Sequence, residues 1–97
     1  GVGYKVFKTT TRDDTSPVRA AAAQKLAKDP DPRSGEALAK TTADPKWLVR
    51  AAVVNAIAKR DDPALLSAVT PLLDDENDTV KNVAAAAVIR LSTKRKR

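Results

Sequence analysis

Three acid–cation pairs stand at a fixed interval along the chain: Asp13 with Arg19, Asp44 with Arg50, and Asp75 with Lys81. In each, the acid lies six residues before the cation, and each pair lies 31 residues from the next. A row of carboxylates could serve general acid–base chemistry, in which a positioned side chain moves a proton in the transition state. Repeated identical sites suit a structural device better than a single active site. The other candidate groups lack partners. Ser16, Ser34, Ser67 and Ser92 have no histidine to activate them, because the chain contains none. It also lacks cysteine and methionine, which excludes His/Cys zinc sites, Cys or His triads, disulfides and histidine-ligated di-iron sites. The acidic run Asp74-Asp75-Glu76-Asp78 lacks the glycine and ligand spacing of a calcium-binding EF-hand loop and reads as a solvated turn with helix-capping acids. Gly1 and Gly3 open no phosphate loop. No catalytic residue, metal site or cofactor is expected.

The net charge is +6, and Lys94, Arg95, Lys96 and Arg97 supply four of those charges. That leaves +2 on the rest (6 − 4), too little for a continuous phosphate-binding surface. The tail is a candidate for phosphate contact or a solvated end. No apolar run approaches the roughly 18–20 residues that span a bilayer, and no signal-peptide pattern is present.

These groups must be carried by some framework, and 97 residues allow one domain at most. Of the 41 apolar residues 18 are alanine, so a core must be built from small side chains at short interhelical distances. The segment Val18-Arg19-Ala20-Ala21-Ala22-Ala23 recurs as Val49-Arg50-Ala51-Ala52-Val53-Val54 and as Val80-Lys81-Asn82-Val83-Ala84-Ala85. In that register Leu26, Ile57 and Val88 share a column, as do Lys28, Lys59 and Arg90, and Pro32 and Pro63. Each unit carries two helical patterns. The first places Val49, Ala52, Val53, Ala56 and Ile57 on one stripe, with Val80, Val83, Ala84, Ala87 and Val88 repeating it. The second opens at Asp62-Pro63 and predicts burial of Leu65, Leu66, Val69, Leu72 and Leu73; its counterpart opens at Asp31-Pro32. Residues 2–11 fall in the same second-helix column, with Tyr4 and Phe7 in core positions. The expected organisation is a repeat domain over 1–93 and a basic tail at 94–97. Within the domain lie a half repeat at 2–12, repeats near 17–43 and 47–74, and a final helix at 78–91. Starting on a half unit fits a piece of a longer array, or a capping helix.

The period of 31, the Val-Arg-x-x-Ala-Ala opening and the Asp six residues ahead of the Arg together resemble the HEAT-like repeats of the phycobiliprotein-lyase type, over about residues 2–91. The resemblance implies an all-α chain: an α-solenoid of antiparallel helix pairs, a HEAT-like superhelix of about three 31-residue repeats. Its second helices would line the concave side, and most members are binding scaffolds. A helix pair with an Ala/Val stripe cannot bury its apolar face alone and must stack on neighbours. The resemblance also implies that Asp13 with Arg19, Asp44 with Arg50 and Asp75 with Lys81 form a polar ladder along the inter-repeat turns. Lys81 cannot make the planar two-pronged contact of arginine, so the last rung should be weaker.

Several departures set further expectations. Ser34, Gly35, Thr41 and Thr42 stand where the later copy has leucines, so that second helix should be short, packed through Ala37 and Leu38, and easily opened. Pro71 should kink its own helix by removing a hydrogen bond to Ser67. The stem of Lys25 should lie along the first interface. Trp47 should pack between units, with Asp44 as cap and Pro45 as first residue of its helix. Outside the core columns, the second helices present Lys5, Lys8, Arg12, Glu36, Lys40, Ser67, Thr70 and Asp74. This mixed-charge face suits a protein partner, or neighbouring domains of a longer chain. The alternative is nucleic-acid binding through the tail with Lys5, Lys8 and Arg12; a membrane partner is not expected.

Overall fold

A computed structural model describes residues 14–95. The half repeat at 2–12, with Tyr4, Lys5, Phe7, Lys8 and Arg12, lies outside the described residues, as do Asp13, Lys96 and Arg97. Helix α1 spans Ser16–Leu26, α2 Pro32–Lys40, α3 Trp47–Arg60, α4 Leu66–Val69 and α5 Asp78–Arg95. Short 3-10 turns flank α4 at Pro63–Leu65 and Thr70–Asp74.

The three longer helices, α1, α3 and α5, pack side by side in chain order, and α2 and the α4 segment each pack against the long helix that follows. Alanine makes this stacking close. Ala20 and Ala23 of α1, Ala52 and Ala56 of α3, and Ala84 and Ala87 of α5 are all buried, and small side chains set interhelical distance at the low end of its range. The bulk comes from Leu38, Val49, Val53, Val54, Ile57, Val69, Val80 and Leu91, each under 2 % exposed. Burying a side chain of that size is worth about 1.5–3 kcal/mol. Ile57 lies at the centre, and its register mates Leu26 and Val88 are half-buried against the same cluster.

Local chemistry sets the helix ends. The Asp14 carboxylate accepts from the Ser16 N–H at 2.9 Å ahead of α1. Asp31 caps α2 by accepting from the Arg33 N–H, with Pro32 in the first turn. Asn77 caps α5 through the Val80 N–H at 3.1 Å. Helix α3 closes on Asp61 in the left-handed region, φ 56 and ψ 29, a conformation that Asp tolerates better than most residues.

Five expectations are corrected. First, α3 begins at Trp47 rather than Pro45, because Lys46 is extended at φ −99, ψ 128; Asp44 closes the preceding turn through the Lys46 N–H at 2.9 Å. Second, Trp47 is 45 % exposed and not enclosed between units, whereas Ser16 in the same column is buried. Third, Ala37 is exposed, and α2 buries Ser34, Gly35 and Leu38 instead. Fourth, Pro71 does more than kink a helix. The α-helical stretch ends at Val69 and passes into a 3-10 turn, whose three residues per turn rotate Leu73 out to solvent while Leu72 stays half-buried. Fifth, the final helix expected at 78–91 runs on to Arg95 and takes in the first two residues of the 94–97 tail. Lys25 is exposed.

Candidate interaction surface and the arginine rungs

The repeated acids and cations join units by a different pairing from the one expected. Arg19 Nε donates to Asp44 Oδ2 at 2.9 Å and its Nη2 to Oδ1 at 3.1 Å. Arg50 Nε donates to Asp75 Oδ1 at 2.8 Å and its Nη2 to Oδ2 at 3.0 Å. Each arginine thus forks onto the acid of the following unit, 25 residues on, in the planar geometry that suits guanidinium and carboxylate. Within a unit the link runs through the backbone: Arg50 Nη1 donates to the Asp44 carbonyl at 2.9 Å. The result is one chain of charge-assisted bonds from Arg19 through Asp44 and Arg50 to Asp75. Among the described residues Lys81 pairs with Asp78 of its own helix, at 3.5 Å, the weaker rung that a lysine predicts. The partner expected for Arg19, Asp13, lies outside the described residues.

Asp44 and Asp75 each do two jobs. While holding an arginine, each accepts from the backbone N–H two residues on, Lys46 at 2.9 Å and Asn77 at 2.8 Å. The guanidinium hydrogen bonds hold both carboxyls below the ordinary carboxylate range, against the opposing effect of desolvation. The same bonds raise Arg19 and Arg50. An acid kept ionised in this way has no proton to give near neutrality, so the rungs are poor general acids. Among the described residues no group of three or more acids is placed to hold a metal ion.

At the opposite end of the long helices a second set of contacts points backward along the stack. Arg60 Nη1 donates to the Leu26 carbonyl at 2.7 Å and also to that of Asp29, and Nη2 donates to Asp31 at 3.1 Å. One side chain therefore ties the turn between α1 and α2 to the end of α3. Its Nε is buried without a partner. A β-carbon at Gly35 would stand 3.2 Å from that nitrogen and 3.4 Å from Leu65 Cδ1, so glycine admits the arginine. Arg90 forks onto Asp61, at 2.6 and 3.0 Å. The repeat register conceals Arg60, because its column holds Asp29 and Leu91 in the other units. Its only sequence signal is the glycine in a helix that should otherwise avoid one.

Every described member of the predicted partner face is exposed: Glu36 and Lys40 on α2, and Ser67, Thr70 and Asp74 along residues 63–74. An open depression of about 370 Å³ is lined by Asp44, Pro45, Arg50, Pro71, Leu72 and Glu76 among others, and by none of these five residues. A smaller depression of about 260 Å³ lies on the α1–α3 side, with Gln24, Lys28, Asn55 and Lys59 at its edge. No helix among the described residues is long and apolar enough to cross a membrane.

Successive helix pairs stacked through one small-residue seam define an all-helical α-solenoid. A family model for HEAT repeats matches residues 5–89, and the chain belongs to that family. No curated protein and no solved structure matches it. HEAT repeats are commonly protein-interaction scaffolds.

Proposed function

We propose that the chain is a noncatalytic scaffold that holds another protein, or a neighbouring domain, against the outer face of its second-helix segments, the concave side of the solenoid. The carrying observation is the division of labour in those segments. Leu38, Leu65 and Val69 are buried toward the stack, while Glu36, Lys40, Ser67, Thr70 and Asp74 stand free of the core. Mixed charge of this kind gives a protein partner register and selectivity. The ion-paired rungs supply the rigidity that keeps such a surface preorganised.

The test compares affinity capture by the unmodified chain, by the triple variant Glu36→Lys, Ser67→Glu and Asp74→Lys, and by a control carrying Gln24→Glu and Asn55→Glu. Loss of a captured partner by about tenfold in the triple variant alone, with the control unaffected, supports the reading. Equal capture by all three sinks it. A nucleic-acid partner is a second reading, favoured by Lys28 and Lys59 at the edge of the smaller depression. It requires duplex or single-stranded DNA binding that weakens steeply with salt, and no binding near 100 mM salt removes it.

A further inference from the structure

None of the chain's 12 acidic residues stands on α1 or α3, and α5 carries Asp78 alone, in its first turn. The acids lie in the turns and along the second-helix segments, which leaves the long-helix layer basic. Within that layer the smaller depression, about 260 Å³, opens between α1 and α3. Gln24, with Ala27 and Lys28 from the turn after α1, forms one wall, and Ala52, Asn55, Ala56 and Lys59 of α3 form the other. Ala52 and Ala56 are buried and make a shallow floor, while the four polar residues are exposed. No acid lines this cleft, and neither lysine is in an ion pair among the described residues. One repeat on, the same columns are filled and neutralised. There Val83 replaces Ala52 and packs on the core, Ala86 replaces Asn55, and Arg90, in place of Lys59, forks onto Asp61. The column of Asp61 holds Pro30 in the earlier unit, so Lys59 lacks the acid that engages Arg90.

We infer that the α1–α3 cleft binds a phosphate monoester, a small phosphorylated molecule held by its dianionic group. Two ammonium groups match the charge of about −1.5 to −2 that such a group carries at pH 7, whereas each diester of a nucleic-acid backbone carries one. The carboxamides add neutral N–H donors from opposite walls, Gln24 on α1 and Asn55 on α3, and the alanine floor leaves room for the oxygens. The free carbonyls of a helix C-terminus disfavour an anion. Arg60 removes that obstacle at the end of α1, donating to the carbonyls of Leu26 and Asp29 and placing a third cation there. No aromatic ring lines the cleft to stack a base. The full donor set occurs at one interface of the stack and is not repeated at the next, which suits a single group better than a strand. The site lies apart from the second-helix face and does not depend on the partner proposed there.

Nitrogen–proton NMR titration of the whole 97-residue chain tests the inference, with inorganic phosphate, phosphoserine and the diester dimethyl phosphate as probes at constant ionic strength. Phosphate and phosphoserine should move the side-chain amide signals of Gln24 and Asn55 together and saturably, and the diester should bind about tenfold more weakly. Tighter binding of phosphoserine than of phosphate supports a carried group, and equal binding supports the free ion. Lys28→Gln with Lys59→Gln should weaken binding about tenfold or more. Asn55→Ala, which changes no charge and puts into α3 the residue that α5 has at Ala86, should weaken it severalfold. Arg33→Gln with Lys46→Gln removes the same charge from exposed positions away from the cleft and should leave it unchanged. Absence of a saturable shift below about 20 mM phosphate overturns the inference. So does equal weakening by the two double variants, which would reduce the effect to net charge. A diester that binds as well as the monoesters also overturns it, and hands the two lysines to the nucleic-acid reading.

Discussion

The two second-helix segments solve the same packing problem with opposite chemistry. Residues 32–40 carry Ser34 and Gly35 in buried positions and one large apolar anchor, Leu38, yet form a continuous helix. Residues 63–74 carry four leucines and Val69, yet break into a 3-10 turn, a four-residue α-helix and another 3-10 turn. The long helix behind each segment differs at one column to match. Arg60 stands behind α2, where Gly35 admits its guanidinium, and the wholly buried Leu91 stands behind the leucine-rich segment. A count of apolar residues ranks the leucine-rich segment as the better helix. Both segments open on the same Asp-Pro cap, Asp31-Pro32 and Asp62-Pro63, so backbone donors within the segment decide regularity, while leucines decide burial. The carbonyl-binding Arg60 braces the turn that leads into α2, whereas Pro71 removes a donor where the second segment needs one.

The seam common to both segments sets the scale. Ile57→Ala should cost about 2–5 kcal/mol in urea denaturation, and a loss under about 0.5 kcal/mol would remove this column from the core. The contrast between the segments comes next. Leu38→Ala should cost about 2–4 kcal/mol because α2 has no other large anchor, and Leu66→Ala about 1 kcal/mol because it is half-buried among other leucines. Equal costs would abolish the distinction. Arg60→Ala should cost about 2 kcal/mol by stripping three carbonyls of a charged donor. Hydrogen exchange should then show faster opening in α2 than in residues 63–74; uniform loosening would mean that Arg60 does not act on α2.

Acid should act on the rungs that bracket both segments. The folded-state pKa values of Asp44 and Asp75 are lowered, so their stabilisation is fully present above the unfolded carboxylate value of about 4 and is lost as pH falls through the depressed folded values. The urea midpoint should therefore hold steady from about pH 7 to 5 and decline below about 4. Asp75→Asn should flatten part of that decline, and an unchanged slope would mean that the rung contributes nothing. The smallest effect belongs to Pro71→Ala, which restores an N–H for Ser67 but frees the unfolded chain, for a net change under about 1 kcal/mol. The far-ultraviolet helix signal should rise slightly. A gain above about 2 kcal/mol would make the proline the whole reason for the break.

Much of the architecture was legible in the residues. The 31-residue register placed the stripe from Val49 to Ile57 and its copy from Val80 to Val88 on the stacking side, and all ten are buried or half-buried. The resemblance to HEAT-like repeats implied a ladder that pairs Asp44 with Arg50 and Asp75 with Lys81, with Lys81 as its weak member. The partners were not legible. A column shows that two residues recur together, but the acid six residues before an arginine and the acid 25 residues after it recur equally well. Arg60 was invisible for the complementary reason, since it occurs in one unit only.

Periodicity alone determined that helix pairs would stack through small side chains, because the burial of a stripe depends on spacing and residue type, which a chain carries wherever it lies. Only the tertiary structure decided which carboxylate each arginine grips, that Arg60 binds carbonyls beside a glycine, and that Trp47 and Leu73 face water. Those outcomes depend on distances between units and on the phase of a few backbone turns, and both come into being only when the stack has formed.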